Sequence, residues 1–364
     1  MALIWADSFD HYGAANGTPA SDNIGRTNML QGAYAGVSGF TTGPSKLQAR
    51  TGEASLYFPS NTVSARRILP GPGRRVIGFG AGVFFAALPT TNFRSGFGFK
   101  NSANDVIVAF YFQSDGAITI SRQPTSVVNN GTILGSTDAG VLSASTWQHV
   151  EAAVLIDPIV GWVEIRVDGV TVFRLENINT GAVGNWATSI QFNQLFLTAA
   201  VPVTFWDDIF AWDDSADKNN DFLGPVRILT LFSTEDGPVQ NWDVVGASDA
   251  HEAVDEVPPD GDTTHLGAAE VGDRVELMCP ELPPEIISLP GIFVHTMSRI
   301  EEAGVGRISI AMVDAGGEVE QAPEQNQTPV YTYRGFVFQE NPDTGDVWTK
   351  ETFEAAKLRI DKTM

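Results

Sequence analysis

Positive charge is scarce in this chain of 364 residues: 22 Lys and Arg stand against 44 Asp and Glu, for a formal net charge of −22 and a pI near 4.4. A phosphate backbone is repelled by such a surface unless a local basic patch overcomes it. The densest basic spots, Arg66-Arg67 and Arg74-Arg75, are brief. Nucleic acid and membrane are therefore not expected as partners. Cysteine is reduced to Cys279, which excludes an intramolecular disulfide and fits assembly in a reducing cytoplasm. No apolar run approaches the length needed to cross a bilayer. The opening MALIWADSFDHYG lacks a basic n-region, so no signal peptide is expected. The histidines (His11, His149, His251, His265 and His295) are scattered without H-x-x-x-H or Cys/His spacing, which argues against zinc.

What is present is turn chemistry between short apolar runs. With 43% hydrophobic residues, 36 glycines and 20 prolines, the chain reads as globular and turn-rich, and it is long enough for two cores. The clearest stretch is 145–175. Val150, Ala152, Val154 and Ile156 alternate with other residues, and Val163, Ile165 and Val167 alternate with Trp162, Glu164 and Arg166. That is the period of a strand with one buried face. Asp168-Gly169 is a favoured pair for a two-residue type I′ turn, which sets Val167 opposite Val170 and Ile165 opposite Val172. Further strands are expected at 3–9, 54–58, 75–87, 93–99, 106–112, 117–121, 190–197 and 203–212, with a second hairpin turn at Asp115-Gly116. Long loops cover 13–45 and 122–145. Long amphipathic helices are absent from this part, so the class is all-β.

Residues 1–215 form the first domain, 216–221 an acidic linker and 222–364 a second, smaller β-rich domain. Its strands are expected at 227–232, 274–278, 291–300, 307–313 and 328–339. One short helix is expected within 246–272. Another, capped by Thr349, would carry Phe353, Ala356 and Leu358 on one face.

The aromatic-x-His start of a strand (Trp147-Gln148-His149), a hairpin and the Val167-Asp168-Gly169 turn resemble the laminin-G/concanavalin A-like jelly roll. Phe205-Trp206-Asp207-Asp208-Ile209 resembles the strand that closes that sandwich, and Leu3 to Tyr12 resembles its first strand. Taken with the second half, the order resembles virion structural proteins of tailed bacteriophages. That resemblance implies a structural component of the particle, in the tail, a tail appendage or capsid decoration. It would be assembled in the host cytoplasm as a homo-oligomer beside other virion proteins, with host-surface glycan a further partner.

Three chemistries bear on the alternatives. A retaining glycosidase needs two carboxyl groups about 5–5.5 Å apart, and acids at alternating positions of one strand would supply them. Glu151 and Glu164 stand alone on their strands, and Asp207 and Asp208, being adjacent, are expected on opposite faces. No catalytic residue is therefore assigned, and the chain is expected not to be an enzyme; a glycan-cleaving activity is the disfavoured alternative. No cofactor is expected, although Asp213, Asp217, Asn219 and Asp221 recur at alternate positions, as oxygen ligands for Ca²⁺ would. A solvated acidic linker is the competing reading. Cys279, beside Pro280, reads as an inert buried thiol. The remaining alternative is a lectin-like carbohydrate-binding module, which stacks sugars on exposed aromatics and orients hydroxyls with Asp and Asn. Trp162, Trp186, Trp206 and Trp212 are its candidates, with core packing the default for most of them.

Overall fold

A computed structural model describes residues 2–19, 24–37, 42–59, 63–91, 95–126, 131–196, 201–301 and 305–364. The chain divides into two compact units, Met1–Leu229 and Thr230–Met364. Both are built from antiparallel strands, as the turn-rich sequence requires.

The first unit contains β1 (Leu3–Asp7), β2 (Gly36–Val37), β3 (Gly43–Ser45), β4 (Ser55–Phe58), β5 (Ala65–Ile68), β6 (Val76–Phe85), β7 (Ser95–Lys100) and β8 (Val106–Phe112). It continues with β9 (Ile118–Arg122), β10 (Thr132–Ser136), β11 (Trp147–Leu155), β12 (Gly161–Val167), β13 (Val170–Ile178), β14 (Ser189–Gln194) and β15 (Thr204–Trp212). One sheet has the order β13-β12-β11-β6-β15-β4-β3, with β1 also on β15, and the other has the order β10-β9-β8-β7-β14-β5-β2. The two face each other across aromatic side chains. Phe79 meets Phe97 at 5.0 Å, Phe85 meets Phe112 at 5.2 Å, and Trp206 lies 5.3 Å from Phe192. Each of these rings comes from an inward-facing strand position, so period-two alternation is what assembles this core.

The expected meander is present, with Asp168 (φ 50°) and Gly169 (φ 81°) both left-handed in its turn. Val167 opposes Val170, but a bulge then sets Ile165 opposite Phe173 rather than Val172. The start of the expected strand 93–99 and the end of 190–197 lie outside the described residues, as do parts of both long loops. Within the loop 13–45 lie α1 (Ile24–Asn28), a π-helical turn at Met29–Ala33, and strands β2 and β3. Within 122–145 lies β10.

Residues 227–232, expected as a strand, are not one. The segment 222–228 belongs to the first unit and runs over the outer face of its first sheet. Leu223 and Gly224 donate their backbone N–H groups to Glu151 at 3.0 Å, and Ile228 donates to Asp208 at 2.8 Å.

The second unit contains β16 (Asp236–Gln240), β17 (Asp243–Val245), β18 (His265–Gly267), β19 (Arg274–Met278), β20 (Ile292–Ser298) and β21 (Arg307–Val313). Then follow β22 (Val319–Gln321), β23 (Gln325–Asn326), β24 (Thr332–Phe338), α2 (Lys350–Glu354) and β25 (Lys357–Lys362). β16, β19, β25, β21 and β22 make one sheet with β23 beside β21, while β17–β18 and β20–β24 are two-stranded ribbons. Ile310, Met312, Phe336, Phe338, Trp348 and Ala356 form its core. Thr349 caps α2 in a reciprocal box with Thr352. The helix ends at Glu354, so Leu358 lies on β25 and not on a helix face.

Candidate functional site

Most acids singled out in the sequence are engaged in holding the fold. Glu151 is fully buried and accepts from Trp212 Nε1 at 3.1 Å as well as from Leu223 and Gly224. It ties the segment 222–228 to the sheet. Glu164 is 2% exposed and accepts from Arg166 Nε at 2.7 Å, Thr171 Oγ1 at 3.0 Å and Arg174. Burial alone would raise its pKa, but the hydrogen bonds from Arg166 and Thr171 and the charges of Arg166 and Arg174 outweigh it and hold the carboxyl below its ordinary range.

Asp207 and Asp208 do not face opposite ways. Asp208 is left-handed (φ 48°) within a bulge of β15, and both carboxylates reach the Arg50-Thr51 turn. Asp207 Oδ2 accepts from the N–H groups of Arg50 (2.7 Å) and Thr51 (3.1 Å), while Asp208 Oδ2 accepts from Arg50 Nη1 (2.6 Å) and Thr51 Oγ1 (2.8 Å). Burial, and then the neighbouring charge of Asp208, push the Asp207 carboxyl well above its ordinary range.

The calcium candidates do not assemble. Asp213 is 4% exposed and bound to Arg74 Nε at 3.2 Å and to Ser215 N at 3.0 Å, which removes it from solvent. Asp217 and Asp221 are exposed and Asn219 is half-buried. Among the described residues no group of three or more His, Cys, Asp or Glu is placed to hold a metal ion. Burial pushes the Cys279 thiol up to about 12, which leaves it protonated at neutral pH.

The tryptophans separate cleanly. Trp206 (0% exposed) and Trp212 (1%) are core residues, which corrects their candidacy for sugar stacking. Trp206 packs between the sheets. Trp212 lies flat on Gly78, where an added Cβ would fall 2.0 Å from its ring. Trp162 is half-buried on β12. Trp186 is 40% exposed, with its Cβ against Gly73.

Polar side chains gather beside Trp186 at one end of the second sheet. Asn185 Oδ1 accepts from Asn101 Nδ2 at 2.6 Å. Asn101 closes the tight β7–β8 turn by accepting from the N–H of Asp105 at 2.8 Å, and Arg66 donates to Asn104 on that turn. Alternation on β7 and β14 turns Phe97, Phe99, Ile190 and Phe192 inward, so Lys100 and Gln191 take the outer face. Gln191 stands opposite Arg66 of β5, and its Oε1 accepts from Lys100 Nζ at 2.9 Å. Its amide is fixed by donation to the Gln194 carbonyl at 2.5 Å. Burial, and then the Arg66 charge, pull the Lys100 ammonium down to about 8, with Asp105 partly offsetting them. Among these groups sequence reasoning singled out Trp186, and Arg66 only as part of a brief basic spot. Asn185, adjoining Trp186, was the signal that could have extended it.

The class defined here is an antiparallel β-sandwich bearing an exposed tryptophan beside paired amides. No protein-family model matches the chain, and no curated protein does. Among solved structures it is similar to an endo-β-1,4-glucuronan lyase from the fungus Trichoderma reesei, with 14% identity over 59% of this chain and 97% of that one and a TM-score of 0.39. It is similar to an alginate lyase at 12% identity over 58% of this chain and 98% of that one, TM-score 0.35. It is also similar to a tetrameric galectin from the ball sponge Cinachyrella at 10% identity over 41% and 99%, TM-score 0.29. The expectation of a chain with no enzymatic role is withdrawn, since structures of similar fold include polysaccharide lyases, a likeness that assigns no activity to this chain. The phage-particle assignment gains no support from them.

Proposed function

We propose that the first unit binds glycan at the surface formed by Trp186, Asn185, Asn101 and Asp105. The observation that carries this reading is Trp186, left 40% exposed and next in the chain to Asn185, whose amide is joined to that of Asn101 at 2.6 Å. A solvent-facing indole offers an apolar plane to the C–H face of a pyranose, and neighbouring amides and a carboxylate can pair with its hydroxyls. Packing alone does not account for the arrangement. The core of this sandwich is complete with Trp206, Phe97 and Phe192, and leaving an indole in water contributes nothing to it.

Binding to a broad glycan array, followed by calorimetric titration of the best ligand, tests the proposal. Trp186→Ala is expected to weaken binding tenfold or more, which corresponds to about 1.4 kcal/mol, with melting temperature unchanged. Trp162→Ala is expected to leave binding intact. A chain that binds no arrayed glycan, or binds equally well without Trp186, would overturn it.

A further inference from the structure

We infer that the glycan bound at this surface carries a carboxylate, which Arg66 and Lys100 receive together. The inference rests on the glycan-binding reading above and names the substrate class of that site.

Charge pairing is common elsewhere in the chain, and these two neighbouring cations go without it. Acids outnumber bases 44 to 22, and buried or half-buried bases commonly meet one: Arg50 lies 2.6 Å from Asp208, Arg74 3.2 Å from Asp213, Arg166 2.7 Å from Glu164, and Arg299 2.8 Å from Asp262. Lys100 and Arg66 differ. Among the described residues neither lies within ion-pair distance of a carboxylate, and the side chains they donate to are the neutral amides Gln191 and Asn104. Lys100 is only 6% exposed, and the Arg66 charge bears on it. The Asp105 charge offsets them only in part, and two cations brought together without an ion-pair partner cost the fold electrostatic energy.

The geometry also explains what holds them ready. Gln191 is 8% exposed, and its amide is locked by donation to Gln194 O, so Oε1 has to face Lys100. Asn104 orients the Arg66 guanidinium. A carboxylate is flat and offers two oxygens, matching one guanidinium edge and one ammonium. A neutral hydroxyl would add no charge to offset them. Asn101 follows Lys100 in the chain and bonds to Asn185, so Lys100 is continuous with the surface that presents Trp186. A sugar ring on the indole can therefore direct a uronic-acid carboxyl toward the pair.

The test uses oligogalacturonate, the neutral oligomer made by reducing its carboxyl groups, and a sulfated neutral oligosaccharide, each titrated against the full chain. The uronate is expected to bind at least tenfold tighter than its reduced form, with the difference shrinking in high salt. Lys100→Met and Arg66→Gln are each expected to bring the two within about threefold, the larger loss falling on the uronate. Lys100→Arg keeps the charge and is expected to keep most of the preference. Melting curves establish that each variant is folded. Trp186→Ala is expected to weaken both forms alike. Equal binding of the uronate and reduced forms to the wild-type chain would overturn the carboxylate assignment and leave glycan binding standing. Tight binding of the sulfated oligosaccharide alone would overturn it in favour of a sulfate ester. Binding of none of the three here, together with an empty glycan array, would overturn both readings.

Discussion

Burial without neutralisation singles out Lys100. A buried ammonium facing an amide is held at a cost, since removing charge from water is repaid only by an opposite charge or full hydrogen bonding. Its pKa, pulled to about 8 by burial and then by Arg66, lies below the ordinary value of 10.5. The unfolded chain therefore binds the proton more tightly. The penalty is fully present below pH 8 and is relieved as pH rises from about 8 toward 10.5. Lys100→Met is expected to melt no lower than the wild-type chain at pH 7 and to lose any advantage near pH 10, as thermal scans at the two pH values would show. A large drop at pH 7 would instead mark Lys100 as a structural support. Glu151 makes the contrast: equally buried, it is satisfied by Trp212, Leu223 and Gly224 and ties down a segment. Little of this was legible beforehand. Trp186 could be named as an aromatic, but Lys100 closes an apolar run and meets Gln191 from 91 positions away. Only the strand register brings them together.

At the scale of the element, β6 explains why the outer face of the first sheet can be covered so closely. An added Cβ at Gly78 would fall 2.0 Å from Trp212, at Gly80 2.3 Å from Phe210, and at Gly82 2.4 Å from Arg50. The alternating glycines of Gly78-Phe-Gly80-Ala-Gly82 thus make a flat track on which side chains from elsewhere lie, while Phe79 and Ala81 enter the core. Gly80→Ala is expected to destabilise the first unit by about 1–3 kcal/mol through overpacking, measured by denaturant unfolding. An unchanged midpoint would mean that the track is not packed as described. The sequence showed the Asp168-Gly169 hairpin. It did not show the bulges. Period-two reasoning assumes one residue per pleat, and it fails where Asp208 turns left-handed and where Phe173 slips opposite Ile165. Those irregularities send Asp207 and Asp208 to the same turn.

For the whole molecule, the division at Leu229 places 222–229 with the sandwich, although composition alone had set a boundary some residues earlier. The reason is visible in buried acceptors: without that segment Glu151 loses Leu223 and Gly224, and Asp208 loses Ile228. A fragment ending at residue 229 is expected to melt at least about 5 °C higher than one ending at 215, a few kcal/mol for a unit of this size. Equal melting temperatures would show the segment to be a passive linker. The glycan-binding account itself is tested most directly by fluorine NMR of the chain labelled with 5-fluorotryptophan, in which its eight tryptophans report separately. With the Trp186 signal assigned by its loss in Trp186→Phe, titration with oligogalacturonate is expected to shift that signal in a saturable manner and to leave the buried Trp206 and Trp212 unmoved. A saturable shift at other tryptophans with Trp186 silent would contradict the account.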